Sequence, residues 1–224
     1  MGGQPAKAFV SSTAEDLKAY REAARDAALA AGILPVMMEY FAASGDKPPL
    51  PACLANVSQT DVLVVIVAHR YGWVPSDQAE GQCKSITWLE CERAVSDGKE
   101  VLAFVVDEKH PWPETGREDY RLTEAVRNGS ATAALFTEVT RNVGLLRDFK
   151  AWLNARGIRA TFTTPEDLGR RVTQALHEWK GRDSTTAQAT PPTKPAKPGI
   201  PPAYLDWLQA RCGEVELMGL ELKH

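Results

Sequence analysis

The chain has 224 residues, 44% hydrophobic and 25% charged, with a formal net charge of -3. That supplies a core for one good-sized domain with additional segments, and the evenly mixed charge lacks the basic excess that holds nucleic acid. No apolar run approaches the roughly 18 residues of a bilayer span, Met1 to Pro5 has neither the basic start nor the apolar stretch of a secretory leader, and Ala6 stands where an N-myristoylation start needs Ser or Thr.

The first predicted element is a short strand, Ala8 to Val10, which stops at Ser11, Ser12 and Thr13. A helix over Ala14 to Ala31 follows at once, rich in Ala, Leu, Glu and Arg, with Gly32 where a C-terminal glycine belongs. Ile33 to Met38 is a second apolar run, and Leu50 to Ser58 a short helix. Asp61 to Ala68, "DVLVVIVA", is the uninterrupted β-branched run of a parallel strand buried on both faces. Thr87 to Asp97 reads as a helix ending at Gly98, and Val101 to Val106 as the next strand. Glu118 to Asn128 and Val143 to Ala155 are further helices. Ala160 to Phe162 is the last strand, and Pro165 to Trp179 an amphipathic helix capped by Thr164.

This alternation predicts an open α/β domain over residues 6–180, with five mostly parallel strands, Asp61 to Ala68 central, and helices on both faces. Residues 181–202 contain six prolines and almost no large apolar side chains, the composition of an extended linker. Residues 203–224 turn apolar again but are too few to fold alone, and read as the start of a following region.

In open α/β sheets the ligand crevice lies beyond the carboxyl ends of the strands. Ser11 and Ser12, Glu39, and Arg70-Tyr71-Gly72 all follow strand ends, so three segments deliver polar groups to one edge. No glycine-rich phosphate loop, nucleophile elbow or paired metal-ligand histidines occur, so no metal site is expected; His69 alone of the histidines falls at a strand end. Four cysteines, Cys53, Cys83, Cys91 and Cys212, lack C-x-x-C or zinc spacing and read as free thiols of a reducing cytoplasm. Glu90 has two readings. Thr87-x-x-Glu90 matches a helix capping box, in which the carboxylate serves the helix start. Alternatively Glu90 points into the crevice beside Ser11, where a carboxylate can bind ribose hydroxyls or stabilise an oxocarbenium ion. Tyr71, Trp73 and Trp112 are aromatic candidates for stacking on a base, whereas Trp88 reads more simply as core.

"FVSSTAEDLKAYREAARDAALAAGILPVMMEYFAAS", "DVLVVIVAHRYGWV" and "SITWLECERAVSDGKEVLAFVVD" together resemble the TIR-like domain of unknown function found at the N-termini of bacterial NACHT and NB-ARC (STAND) ATPases. The resemblance implies a flavodoxin-like fold and, with the ATPase missing, an N-terminal fragment of an immune or antiphage defence protein. TIR domains act either as NAD-cleaving enzymes switched on by oligomerisation or as scaffolds that bind further TIR domains. NAD is thus a possible substrate rather than a cofactor, and further copies of the chain the expected partners, without nucleic acid or membrane. The enzymes carry an essential glutamate on the helix before the fourth strand. Counting back from Gly98-Lys99 selects Glu90, counting forward from Trp88 selects Glu92, and the family's Thr-x-x-Glu pattern selects Glu90. By the same resemblance Ser11, Ser12, Arg70 and Tyr71, with Trp73 beside them, would line the nucleotide crevice. A non-catalytic adaptor is the alternative, and a deoxyribosyltransferase-type enzyme of related fold a third reading.

Overall fold

A computed structural model of the chain describes residues 4–38, 50–79 and 81–188. The chain divides into two compact units after Gly181, and the sheet and its helices belong to the first, except for the end of α6. In chain order the elements are β1 (Lys7–Ser11), α1 (Lys18–Ala30), β2 (Leu34–Val36), α2 (Leu50–Ser58), β3 (Val62–Val67), α3 (Ile86–Ser96), β4 (Glu100–Val106), α4 (Tyr120–Arg127), α5 (Ala133–Asn154), β5 (Ile158–Phe162) and α6 (Pro165–Gln188). The five strands form one sheet in the order β2-β1-β3-β4-β5, and every pairing is parallel. This is the flavodoxin-like order, whose topological switch point lies between β1 and β3.

β3 sits at the centre, as its composition predicts: all its residues are buried, with Val64 at 0% and Ile66 at 1% exposure. Successive side chains of a strand point to opposite faces, and two cores result. Ala8 and Val10 of β1, with Val62, Val64 and Ile66 of β3, pack with α1 and α6 residues such as Ala24, Ala28, Leu168 and Leu176. Phe9, Leu63, Val65 and Val67 pack on the other face with Val57 of α2, Cys91 and Ala94 of α3 and Phe149 of α5. Each fully buried aliphatic side chain contributes roughly 2 kcal/mol, so both layers are anchored chiefly by β1, β3 and β4.

Several boundaries differ from the sequence reading. α1 begins at Lys18 rather than Ala14, because Ala14 to Leu17 form bends and turns. α4 begins at Tyr120 and leaves Glu118 outside it. α5 begins at Ala133, well before Val143, with the Thr132 hydroxyl accepting from Leu135 N at 3.1 Å. Most side chains between Ala133 and Arg141 are exposed, so that stretch has no apolar stripe to betray it. α6 continues to Gln188, into the stretch read as linker; Lys180 to Gln188 holds no proline, the first of the six being Pro191, and the helix runs through Gly181. Residues 189–202 of the expected linker, and 203–224, lie outside the described residues. Among the described residues no helix is long and apolar enough to cross a membrane.

Candidate functional site

β1 ends at Ser11, Ser12 follows it in a bend, and the two side chains go to different sides. Ser11 follows Phe9 to the α3 side, where its hydroxyl donates to Glu90 Oε2. Ser12 turns to the α1 side, where its Oγ accepts from Arg21 Nη1 at 2.8 Å and its carbonyl from the same nitrogen at 3.3 Å. The Ser12 hydroxyl in turn donates to the Thr13 carbonyl at 2.9 Å. A buried carboxyl, Glu90 at 3% exposure, and a buried guanidinium, Arg21 at 4%, therefore flank the serine doublet at the end of β1.

The capping-box reading of Thr87 and Glu90 does not hold. Ser85 caps α3, its hydroxyl accepting from Trp88 N at 3.4 Å, and Thr87 lies inside the first turn. Glu90 therefore stands one turn into the helix with no capping duty. Burial pushes its carboxyl up to about 7, against the Ser11 hydrogen bond and the Arg21 charge, which both favour the anion. Its Oε1 is buried without a hydrogen-bond partner. A buried carboxylate oxygen with an open acceptor position is costly to keep, and such groups concentrate at functional sites. Glu92 faces elsewhere: it is half-buried and held by Lys84 Nζ at 2.6 and 2.9 Å.

The β3 side of the switch point is a separate, tightly tied assembly. Arg70 donates to Glu15 Oε2 at 3.3 Å and to the Thr115 carbonyl at 2.8 Å. Asp16, near Arg70, has its carboxyl held above the usual range by burial. Tyr71 is 1% exposed, so its ring belongs to the core instead of the crevice wall expected of it. Its hydroxyl donates to the Cys83 carbonyl and accepts from Ser85 N, each at 3.0 Å, and so fixes the start of α3. Trp73 is half-buried, and its carbonyl accepts from Ile86 N at 2.9 Å. Trp112 packs against Tyr20 and His69, with ring centroids 5.3 and 5.4 Å away. Trp88 stacks on Phe149 at 5.1 Å and is core, as expected. Gly72 adopts φ 88°, and a Cβ there would stand 2.8 Å from Thr13 Cγ2, so only glycine lets the β1 and β3 loops approach this closely.

Glu118 holds that assembly together. Its buried carboxylate accepts from Tyr71 N at 3.1 Å, Arg121 Nη1 at 2.9 Å and Asn142 Nδ2 at 3.1 Å. A cleft of about 270 Å³ opens beside it, with His69, Glu108, Arg117 and Lys150 in its wall. Burial, then the Lys150 charge, lowers the His69 pKa, so the imidazole is neutral at pH 7. Among the described residues Cys53, Cys83 and Cys91 form no disulfide, and burial raises the Cys53 thiol to about 11. Among the described residues no three His, Cys, Asp or Glu converge as metal ligands.

The structure thus brings Ser11, Ser12 and Glu90 into one cluster and engages Arg70, Tyr71 and Glu92 elsewhere; Glu39 lies outside the described residues. Sequence reasoning missed Arg21 and Glu118. Arg21 had a legible signal, because Leu17, Arg21, Ala24 and Ala28 share the buried stripe of α1 at helical spacing. Glu118 had none, since its partners come from three separate segments.

These features define a doubly wound parallel α/β domain with a buried carboxylate at the β1/β3 switch point. Residues 7–177 match the family described as Domain of unknown function (DUF4062), and the chain belongs to that family. No curated protein matches it.

Proposed function

We propose that this chain is the TIR-like effector domain of a STAND-type immune or antiphage defence protein of the cytoplasm, and that assembled copies hydrolyse NAD. The observation that carries the reading is Glu90: a carboxylate at the switch point, bonded to Ser11, with one oxygen unpartnered. In the proposed step the bond between ribose C1′ and the nicotinamide nitrogen breaks, and nicotinamide leaves with the electron pair. Ionised Glu90 stabilises the positive charge developing on the ribose. Water then adds to C1′ and releases a proton, giving ADP-ribose. Ser12 and Arg70 supply further polar groups at the same sheet edge.

One observation favours the alternative, a non-catalytic adaptor that recruits further copies: Glu90 is only 3% exposed, so substrate reaches it only if assembly opens the site. The test is to cluster the 224-residue chain through a fused oligomeriser, supply NAD and measure free nicotinamide. The clustered wild type should release it, and the dispersed chain should be nearly silent. Glu90→Gln should cut the clustered rate about a hundredfold or more, the scale of about 3 kcal/mol of lost transition-state stabilisation. Loss of activity in Glu92→Gln with Glu90→Gln intact would move the role to Glu92. A clustered wild type that leaves NAD untouched establishes the adaptor.

A further inference from the structure

We propose that the cleft at the carboxyl ends of β3 and β4 is a second ligand site, fitted to a small organic phosphate: Arg117 and Lys150 take the phosphoryl group, His69 makes a hydrogen bond to it, and Val143 and Leu146 receive the apolar part. His69 stands two residues beyond β3 and Glu108 two residues beyond β4. Arg117 comes from the loop before α4, tied to the end of β3 by the Glu118 N–H, which donates to the His69 carbonyl at 3.0 Å. Val143, Leu146 and Lys150 come from α5. Together these segments line about 270 Å³, the small end of the range that ligand pockets occupy.

Two groups in the wall lack the partners that burial demands. His69 is 8% exposed, yet neither imidazole nitrogen makes a hydrogen bond: Nδ1 stands 3.7 Å from Glu108 Oε2, and Nε2 is buried without a partner. Buried polar nitrogens are nearly always satisfied. Nδ1 is the nitrogen turned to Glu108, and so the one a ligand in the cleft can meet; a neutral imidazole offers a donor or an acceptor there. Arg117 is half-buried, and among the described residues its guanidinium has no hydrogen bond or ion pair.

The carboxylates of the wall are engaged or face solvent. Glu118 accepts from Tyr71 N, Arg121 and Asn142, Glu108 accepts from Lys150 Nζ, and Asp119 is exposed. Lys150 is only 17% exposed and Glu108 is 61% exposed, so the ammonium is the fixed member of their pair and the carboxylate the one able to turn away. A phosphate monoester carries close to two negative charges at neutral pH, which the Arg117 guanidinium and the freed Lys150 ammonium balance. The planar guanidinium fork suits two phosphate oxygens. Val143, half exposed beside the buried Leu146, gives the rest of the molecule an apolar surface.

The experiment titrates phenyl phosphate, which carries both halves, and inorganic phosphate into the ¹⁵N-labelled 224-residue chain at neutral pH, following backbone amides by NMR. Phenyl phosphate should shift residues 117–119 and 143–150 saturably, with a Kd of about 1 mM or below, and bind several-fold tighter than inorganic phosphate. Arg117→Gln, which breaks no contact, should weaken binding about tenfold or more. Glu108→Gln, on a largely exposed side chain, should tighten it several-fold by releasing Lys150. Shifts that never saturate, or that gather at Ser11 and Glu90 instead of the cleft, overturn the proposal. So do equal affinities for the two probes, an unchanged Kd in Arg117→Gln, or a Glu108→Gln protein that binds no tighter than wild type. The titration needs neither NAD nor clustering, so its outcome is independent of the enzymatic reading of Glu90.

Discussion

Replacing Glu90 with glutamine should make the protein more stable above neutral pH and leave it nearly unchanged near pH 4.5. The carboxyl's ordinary pKa of 4.5 is raised to about 7 by burial in the folded state. Between those values the folded protein holds a proton that the unfolded chain has released. The stability contribution is therefore complete below 4.5 and is lost as pH rises through about 7. At about 1.4 kcal/mol for each tenfold change in proton affinity, the span from 4.5 to about 7 is a loss of about 3 kcal/mol by pH 8. Glutamine accepts the Ser11 hydroxyl through its amide oxygen and carries no charge to desolvate. Urea unfolding of both proteins at a series of pH values gives the difference directly, from midpoints at a shared slope. It should grow from near zero to about 2–3 kcal/mol in favour of the variant. His69 and the other shifted groups titrate in both proteins and cancel. A difference that stays flat from pH 4.5 to 8, or favours wild type as pH rises, would refute the reasoning.

Glu118→Ala should cost about 2–4 kcal/mol, because it leaves the buried Tyr71 N–H and the Asn142 amide without an acceptor. Glu118→Gln should cost distinctly less, and a urea midpoint unchanged by the alanine would show the network to be expendable. Gly72→Ala should cost about 1–3 kcal/mol, from a positive φ together with the encounter with Thr13 Cγ2. Combining it with Thr13→Ser, which removes that methyl, should restore the steric part in thermal melts; strictly additive losses would place the strain elsewhere.

The parts of the fold legible in the sequence were those fixed by composition within one element. β3 had only one place to go, because six consecutive apolar residues, four of them valine, must be covered on both faces. Glu90 and Ser11 were legible as a pair because strand ends and helix starts converge at one edge of such a sheet. What escaped was settled between segments. Thr87-x-x-Glu90 looked like a cap, yet the preceding Ser85, held by the Tyr71 hydroxyl, took the position. Tyr71 follows a strand end like a ligand residue, but two backbone groups of the loop before α3 claim its hydroxyl. The start of α5 was hidden because its exposed side chains carry no apolar periodicity, and the end of α6 because Lys180 to Gln188 holds no large apolar residue.

The two serines at the end of β1 are chemically identical, yet a strand's two-residue period makes them non-interchangeable. The pair works as a coupling with one terminal in each layer, the anion on one side of the sheet and the cation on the other. Its function depends on phase: deleting one residue upstream in β1 would keep the doublet in the sequence and exchange its terminals, offering Ser12 to Glu90 and withdrawing the anchor from Arg21. Electrical balance across the sheet at this point is thus written in the parity of β1, and any change of length in that strand is also a change of wiring.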